Sequence, residues 1–374
     1  MSARLAYDVV IIGAGPTGFR MAQNLMGKGY RITLLEAKPN FTDRTRYVSI
    51  PLSVLPASLA RADAPKALRR GRFYHSLNVS RRVDFTGDRF AALQGCYVLM
   101  SDVLVGYSRE IGDVELRMSH RVRAIAQSED EVTLSVDTPE GPREFVCQVL
   151  VSCDGVNSIT NRTLGNGPRW VKMKKYHLSG VKNEPGYSEL FRSHRYSTGR
   201  QLIMFNIAPG EAEIDIATTG TENLDRLFQE FIHGHRVMQE RGVPEARIRP
   251  VLGGLNPIGR GELLQGRIIV VGDAAAGFPA EGGMSYGPAR QSADTASGFV
   301  LKALQAKDPE LLRGYVLAWD EAFGDAFRRD EQGKAAYDSL SDDEIDEVYR
   351  TYSGDDIKQG LLEFSHQKAQ ERAA

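Results

Sequence analysis

The stretch that most limits what this chain can fold into runs from Tyr7 to Glu36. YDVVII is followed by GAGPTG, by a segment with helical potential from Phe19 to Lys28 closed by Gly29, and by RITLLE. The apolar, β-branched run Tyr7 to Ile12 suits a strand covered on both faces, and it stops abruptly at Gly13. Strand, glycine turn, helix, strand and acid then follow one another at the spacing of a dinucleotide-binding unit. Gly13 permits the tight turn, Gly15 lets the backbone approach a pyrophosphate, and Gly18 lets the helix pack close to the strand. Unpaired amides at the helix start can hold phosphate charge. Glu36 stands where a carboxylate would accept hydrogen bonds from ribose hydroxyls.

Two further segments repeat the theme of a buried strand ending on small residues and an acid: VLVSCDGVNSITNRTL from Val149 to Leu164, and RIIVVGD from Arg267 to Asp273. Ligands of open parallel sheets gather at the carboxyl ends of strands, so Asp154 and Asp273 are expected to point at the same cofactor as the glycine turn. Taken alone, Asp154 reads as a helix N-cap. No second strand–glycine–helix unit exists, because GNGPRW at Gly165 and GRGELLQG at Gly259 lack a preceding apolar strand. A nicotinamide cofactor is therefore expected only as a transient reductant visiting a shared site.

A chain of 374 residues calls for one large composite domain or two interleaved ones. Its net charge of -1 gives no polyelectrolyte signal, which argues against nucleic acid as a partner. No apolar run approaches the roughly 18 residues of a membrane span, and the first strand-like segment leaves no room for a signal peptide, so a cytoplasmic location is expected. Cys96, Cys147 and Cys153 show no metal spacing and suit reduced thiols. His233 and His235 lack a nearby third ligand, so no metal site is expected and both read as surface residues.

Between the glycine and acid blocks the composition changes. Tyr176 to Gly254 is strand-rich, with a hairpin expected from Arg200–Ile207 and Glu211–Thr219 around Ala208-Pro209-Gly210. From Asn223 to Gly242, the apolar residues Leu224, Leu227, Phe228, Phe231 and Ile232 recur at helical spacing and describe a covering helix. Lys66, Arg69, Arg70, Arg72, Arg81 and Arg82 form a basic cluster. It reads as a solvated, partly paired surface, with a diphosphate or an anionic membrane surface as the alternative.

GAGPTG with Glu36, then CDGVNS, then GDAAAGFPAEGG resembles, in order, the three sequence blocks of the FAD-dependent oxidoreductases of the aromatic-hydroxylase superfamily, which includes the geranylgeranyl reductases. The resemblance implies an α/β fold: a Rossmann-like FAD-binding domain of the glutathione-reductase type with an interleaved β-rich substrate domain and a helical C-terminus. The expected division is 1–75, 95–170 and 262–310 for FAD binding, 76–94 and 171–261 for substrate, and 311–374 for C-terminal helices. It implies cofactor contacts from Gly13, Gly15, Pro16, Thr17, Gly18, Glu36, Ala37, Asp154, Gly155, Gly272, Asp273, Pro279, Gly282, Gly283, Met284 and Ser285. Arg44 or Arg46, just past the ribose acid, is expected on an FAD phosphate. The implied activity uses FAD with NAD(P)H on a small hydrophobic organic substrate. Ala276 and Gly277 after GDAA, and SDDEIDEVYRTY from Ser341, lean towards reduction of carbon–carbon double bonds in an isoprenoid-like substrate, with peripheral membrane contact open. Monooxygenation of an aromatic or alkene is the alternative, and a non-redox flavin-dependent cyclase or isomerase the second. Two features depart from the reductases: Ser101 stands where the family often places an FAD-contacting arginine, and RYVSIPL replaces their cysteine–glycine block. Tyr286 is the expected catalytic proton donor; packing is the other reading of this loop aromatic. Pro288 can open the helix that follows, to about Lys302.

Overall fold

The computed structural model describes residues 4–61, 67–86, 95–165, 170–196, 202–218, 220–277, 286–352 and 356–373. A sheet of eight strands carries the glycine turn. Its main path runs Leu264–Gln265, Ile268–Val270, Gly141–Ser152, Arg4–Ile12, Ile32–Leu35, Glu115–Arg117, and the antiparallel strands Val132–Thr138 and Arg121–Gln127 join beside Gly141–Ser152. The central strands are parallel and in register at their ends: Ile12 lies opposite Ser152 and Leu35, and Ser152 opposite Val270. Their alternating side chains feed two cores. Val9, Ile11, Leu34, Val149 and Val151 pack on one face with the helices Pro16–Leu25 and Tyr286–Ala306, and Val10, Ile12, Leu35, Phe145 and Leu150 pack on the other. Each such fully buried side chain contributes about 1.5–3 kcal/mol, which is why both faces of YDVVII are apolar.

The first helix begins at Pro16 rather than Phe19, because proline at the first helical position gives up an amide that would have no partner anyway. The helix expected to open at Pro288 begins at Tyr286 and runs to Ala306.

A second sheet of seven strands runs Arg247–Pro257, Trp170–Ser179, Glu211–Thr218, Leu202–Ala208, Tyr187–Phe191, Gly71–His75, Ser80–Asp84. The expected hairpin is present as the antiparallel pair Leu202–Ala208 and Glu211–Thr218. Gly71–His75, which lies within the 1–75 segment expected for FAD binding, pairs here with Tyr187–Phe191 instead. On one face Tyr176, Leu178, Ile214 and Ile216 pack against Phe228, Phe231 and Ile232, and the Tyr176 and Phe228 rings stack at 3.7 Å.

The covering helix is broken in two, Leu224–Gly234 and Arg236–Glu240. The break falls at His235, whose Nδ1 accepts the amide of Val237 while its Nε2 lies 3.2 Å from the Ser76 carbonyl. His235 is thus no surface residue: it is 2% exposed. Its local competition with helical hydrogen bonding outweighs the apolar periodicity.

Outside the two sheets, Tyr47–Pro51, Gly95–Leu99 and Ala67–Leu68 form a three-stranded ribbon, and Gly259–Arg260 pairs with Ala276–Gly277. The helices Arg313–Ser339, Asp342–Thr351 and Ile357–Ala373 follow. Ser341 and Glu344 form a capping box at the start of the second of these, and Tyr337, Ile345, Val348 and Tyr349 bury Tyr74 and Leu190 of the seven-stranded sheet. Among the described residues, no helix is long and apolar enough to cross a membrane.

Candidate functional site

The register of the parallel strands brings four turns onto one line. Gly13 follows Ile12, Glu36 follows Leu35, Cys153-Asp154 follows Ser152, and Val271-Gly272 follows Val270. Backbone bonds lock the line: Gly13 donates to the Leu35 carbonyl at 2.8 Å, Cys153 to Ile12 at 2.9 Å and Val271 to Ser152 at 2.9 Å.

Within this line the glycines carry distinct demands. Gly13 has φ +95°, and a Cβ there would stand 2.5 Å from the Cys153 carbonyl oxygen. A Cβ on Gly18 would overlap the carbonyl oxygen of Gly13, so the helix start lies directly on the turn. Gly15 is different: a Cβ there would meet nothing within 4 Å. It caps the helix Pro16–Leu25 without a side-chain hydrogen bond, and the first turn carries no acid. Gly272, with φ +69°, is held tight against Thr17, where a Cβ would lie 2.6 Å from Oγ1.

Glu36 is 7% exposed. Its Oε2 accepts the amide of Ala14 at 3.1 Å and its Oε1 that of Lys38 at 2.9 Å, leaving lone pairs on both oxygens for a further donor. Ala37 lies between them in sequence. Arg44 and Arg46 bring buried Nε atoms without a hydrogen-bond partner. Burial, then the charge of Arg44, holds the Arg46 guanidinium below its ordinary pKa, against the pull of Asp215, Asp273 and Glu213. A dinucleotide fits this set: open amides at a helix start and orphaned arginine nitrogens suit its phosphates, and a fixed buried carboxylate suits its ribose hydroxyls.

Asp154 is occupied locally. Its Oδ1 accepts the Ser152 hydroxyl at 2.5 Å and its Oδ2 the Thr160 amide at 3.4 Å, while Ser158 caps the following helical turn. Gly155, at φ +71°, makes the turn between them. Asn161 ties this turn to the next strand end by donating to the Ala274 carbonyl at 2.7 Å. Asp273 lies in the short helical turn Gly272–Ala274. Pro279, Gly282, Gly283, Met284 and Ser285 lie outside the described residues. Tyr286 directs its hydroxyl at Tyr107, 2.6 Å away, and the Tyr107 hydroxyl in turn bonds the Val54 carbonyl; burial raises the Tyr286 pKa strongly.

The basic cluster divides. Arg82 pairs with Asp84 and Glu184, and Arg81 donates to the Tyr349 and Arg350 carbonyls, while Arg69 packs onto Gly95. Lys66 lies outside the described residues. Among the described residues no His, Cys, Asp and Glu cluster could hold a metal. The three cysteines are buried and form no disulfide, and burial pushes the Cys147 thiol up to about 12.

Sequence reasoning missed one group. Lys175, His177, Glu211, Glu213 and Asp215 line the other face of the second sheet, towards Tyr47 and Arg46. The signal was available, since KKYHLS and EAEID both place titratable residues at every second position of a strand.

A parallel sheet that ends in an open glycine turn, a fixed ribose-type acid and unsatisfied arginines, joined to a second interleaved sheet, defines a dinucleotide-binding class. Residues 57–215 match the family described as FAD binding domain. A 169-residue stretch is 38% identical to 12-dehydrotetracycline 5-monooxygenase/anhydrotetracycline 6-monooxygenase of Streptomyces rimosus, covering 43% of this chain and 33% of that protein. Digeranylgeranylglycerophospholipid reductase 2 of Methanopyrus kandleri is 22% identical over 372 residues, covering 94% of this chain and 92% of that protein. The structure of a geranylgeranyl bacteriochlorophyll reductase-like protein from Thermoplasma acidophilum superposes with a TM-score of 0.81 at 17% identity, over 97% of this chain and 96% of that one. Over residues 57–215 the chain is thus similar to FAD-binding domains, and it spans about a third of the length of the tetracycline monooxygenase that it matches.

Proposed function

We propose that this protein binds FAD along the line of strand ends, takes electrons from NAD(P)H as a transient reductant, and reduces a carbon–carbon double bond in a hydrophobic, isoprenoid-like substrate. The observation that carries this reading is its similarity, over almost the whole chain, to a digeranylgeranylglycerophospholipid reductase, whereas the tetracycline monooxygenase match stops at 169 residues. FAD supplies the hydride chemistry when bound. The chain's own part is positional. Gly13, Gly15, Pro16, Thr17 and Gly18 present backbone to the pyrophosphate, with Gly155 and Gly272 shaping the turns beside it. Glu36, with Ala37, holds the ribose, Arg44 and Arg46 neutralise phosphate, and Asp273 meets the ribityl region. Asp154 acts through the turn that it fixes.

A second reading is monooxygenation. It is favoured by the 38% identity to the tetracycline enzyme over a 169-residue stretch.

Stopped-flow mixing of the flavin-loaded protein with NADH or NADPH, with and without oxygen, in the presence of an unsaturated isoprenoid or a phenol, separates the two. Saturated product formed anaerobically is expected; product formed only with oxygen overturns the reductase reading.

A further inference from the structure

The second sheet carries a row of titratable side chains that the reading above leaves without a role. Antiparallel pairing puts Lys175 opposite Asp215, His177 opposite Glu213 and Ser179 opposite Glu211, so all six share one face. At the inner end, Lys175 Nζ lies 2.9 Å from Asp215 Oδ1 and 3.3 Å from Glu213 Oε2. It also lies 3.3 Å from the carbonyl of Tyr47, whose amide donates to Glu213 at 3.1 Å. Further out, His177 stands between two acids: its Nδ1 is 3.8 Å from Glu213 Oε1 and its Nε2 is 2.5 Å from Glu211 Oε2. The Ser179 hydroxyl donates to the same Glu211 oxygen at 2.9 Å. Side-chain exposure falls from 39% at Glu211 through 18% at His177 to 1% at Glu213. The row therefore runs from solvent to the seam where the second sheet meets Tyr47 and Arg46, with its widest step the 3.8 Å between His177 and Glu213, and Arg46 feels Asp215, Glu213 and Asp273 together.

Adhesion between strands does not require this chemistry. Burying a charge costs several kcal/mol even after relaxation, and well-packed apolar residues of similar volume hold a sheet at least as well. A chain of exchangeable protons graded from wet to dry has a different use.

We propose that Glu211, His177, Glu213 and Lys175 form a proton path between solvent and the seam of the two sheets. The proposal rests on the reading of the chain as an NAD(P)H-using flavin oxidoreductase. Such a reaction consumes one solvent proton: NAD(P)H, a proton and an acceptor give NAD(P)+ and the acceptor carrying two hydrogens. A proton from water at Glu211 passes to Nε2 of His177 as Nδ1 gives its own to Glu213, and Glu213 replaces the one that Lys175 Nζ releases inward. One proton enters, one leaves, and no electron moves along the path.

Several charges bear on the ring. Glu211 and Glu213 come from one neighbouring strand. Arg249 lies opposite His177 and Arg247 opposite Ser179 on the other strand. Tyr47 meets Glu213 from the three-stranded ribbon. The net direction is upward: Glu213, against burial and with Glu211 adding to it, raises the pKa of His177 above its ordinary value.

The test uses the flavin-loaded full chain, photoreduced without oxygen and then mixed with oxygenated buffer in H2O and in D2O, with no organic substrate present. His177→Gln is compared with Glu211→Gln, whose outer position leaves folding intact. Flavin reoxidation in His177→Gln is expected to slow by about tenfold or more, with a larger solvent isotope effect and recovery on adding imidazole. In protein with 13C-labelled histidine, the NMR titration midpoint of His177 is expected to fall in Glu211→Gln. Unchanged rates and isotope effects in both variants, in protein that binds and photoreduces flavin normally, overturn the path. Failure of the unsubstituted chain to hold flavin overturns the flavoenzyme reading instead, and the NMR titration then judges the coupling of His177 to Glu211 by itself.

Discussion

At the scale of single residues, the site depends on atoms that are absent as much as on those present. Gly18 has no room for a methyl group against the Gly13 carbonyl, so Gly18→Ala must displace either the helix or the turn. Overpacking of this kind costs about 1–3 kcal/mol, and the variant is expected to purify with little bound flavin and a lowered melting temperature. Glu36→Gln tests the opposite case. It keeps the shape but replaces one of the two oxygens that accept the Ala14 and Lys38 amides with a donor. Flavin affinity, measured by fluorescence titration, is expected to weaken by about tenfold, which corresponds to about 1.4 kcal/mol. These residues were legible in the sequence because their geometry is local: a glycine turn announces itself within six residues. Asp154 lies at the strand end and bonds its own turn through Ser152 and Thr160, but Ser158, not Asp154, caps the helical turn that follows, because the cap falls four residues further along than the strand-end acid. The role of Tyr107 was not legible. Its partnership with Tyr286 joins positions far apart in the chain, and no periodicity encodes such a pair.

At the scale of elements, the chief surprise is His235. Apolar spacing predicts one helix across Asn223–Gly242, and the imidazole, which accepts its own local amide, splits it in two. Burial pushes the His235 pKa down to about 4. The unfolded chain binds a proton there near pH 6.5 whereas the native state does not, so this histidine costs stability progressively as the pH falls from about 6.5 to about 4. The full effect is about 3 kcal/mol. Denaturant melts at pH 7 and pH 5 are expected to show a clear loss in the unsubstituted protein and a smaller one in His235→Asn. Glu189 works in the same direction lower down. Although burial opposes it, the His75 hydrogen bond and the His75 and Arg241 charges hold its carboxyl below the ordinary value. Its contribution is present above the unfolded pKa and is lost as the pH falls through the folded one.

At the scale of the whole molecule, the order of the three motif blocks foretold the parallel sheet, and the hairpin foretold the second one. Their mutual arrangement was hidden, because strands such as Gly71–His75 and Tyr187–Phe191 pair across more than a hundred residues of sequence. Asp346 is one of the groups that fasten the C-terminal helices to the second sheet, beside Asp342, which accepts from the Ser193 hydroxyl and the His194 amide, and the apolar contacts of Tyr74 and Leu190. Asp346 accepts from the Ser76 hydroxyl, from the Asn78 amide at 3.0 Å and from Asn78 Nδ2 at 2.7 Å. Asp346→Ala takes this acceptor from the buried Ser76 hydroxyl and is expected to cost about 1–3 kcal/mol, seen as a lower urea midpoint with an unchanged slope.

The line of strand ends has one more consequence, in folding rather than in chemistry. Gly13 with Glu36, Asp154 and Gly272 come from three separate parts of the chain, so a dinucleotide bound along them as proposed would act as a reversible cross-link. A ligand that binds only the native state adds about 2.7 kcal/mol at a hundred times its dissociation constant. The melting temperature therefore climbs with added FAD, and its dependence on FAD concentration reports the grip on the cofactor before any substrate is known.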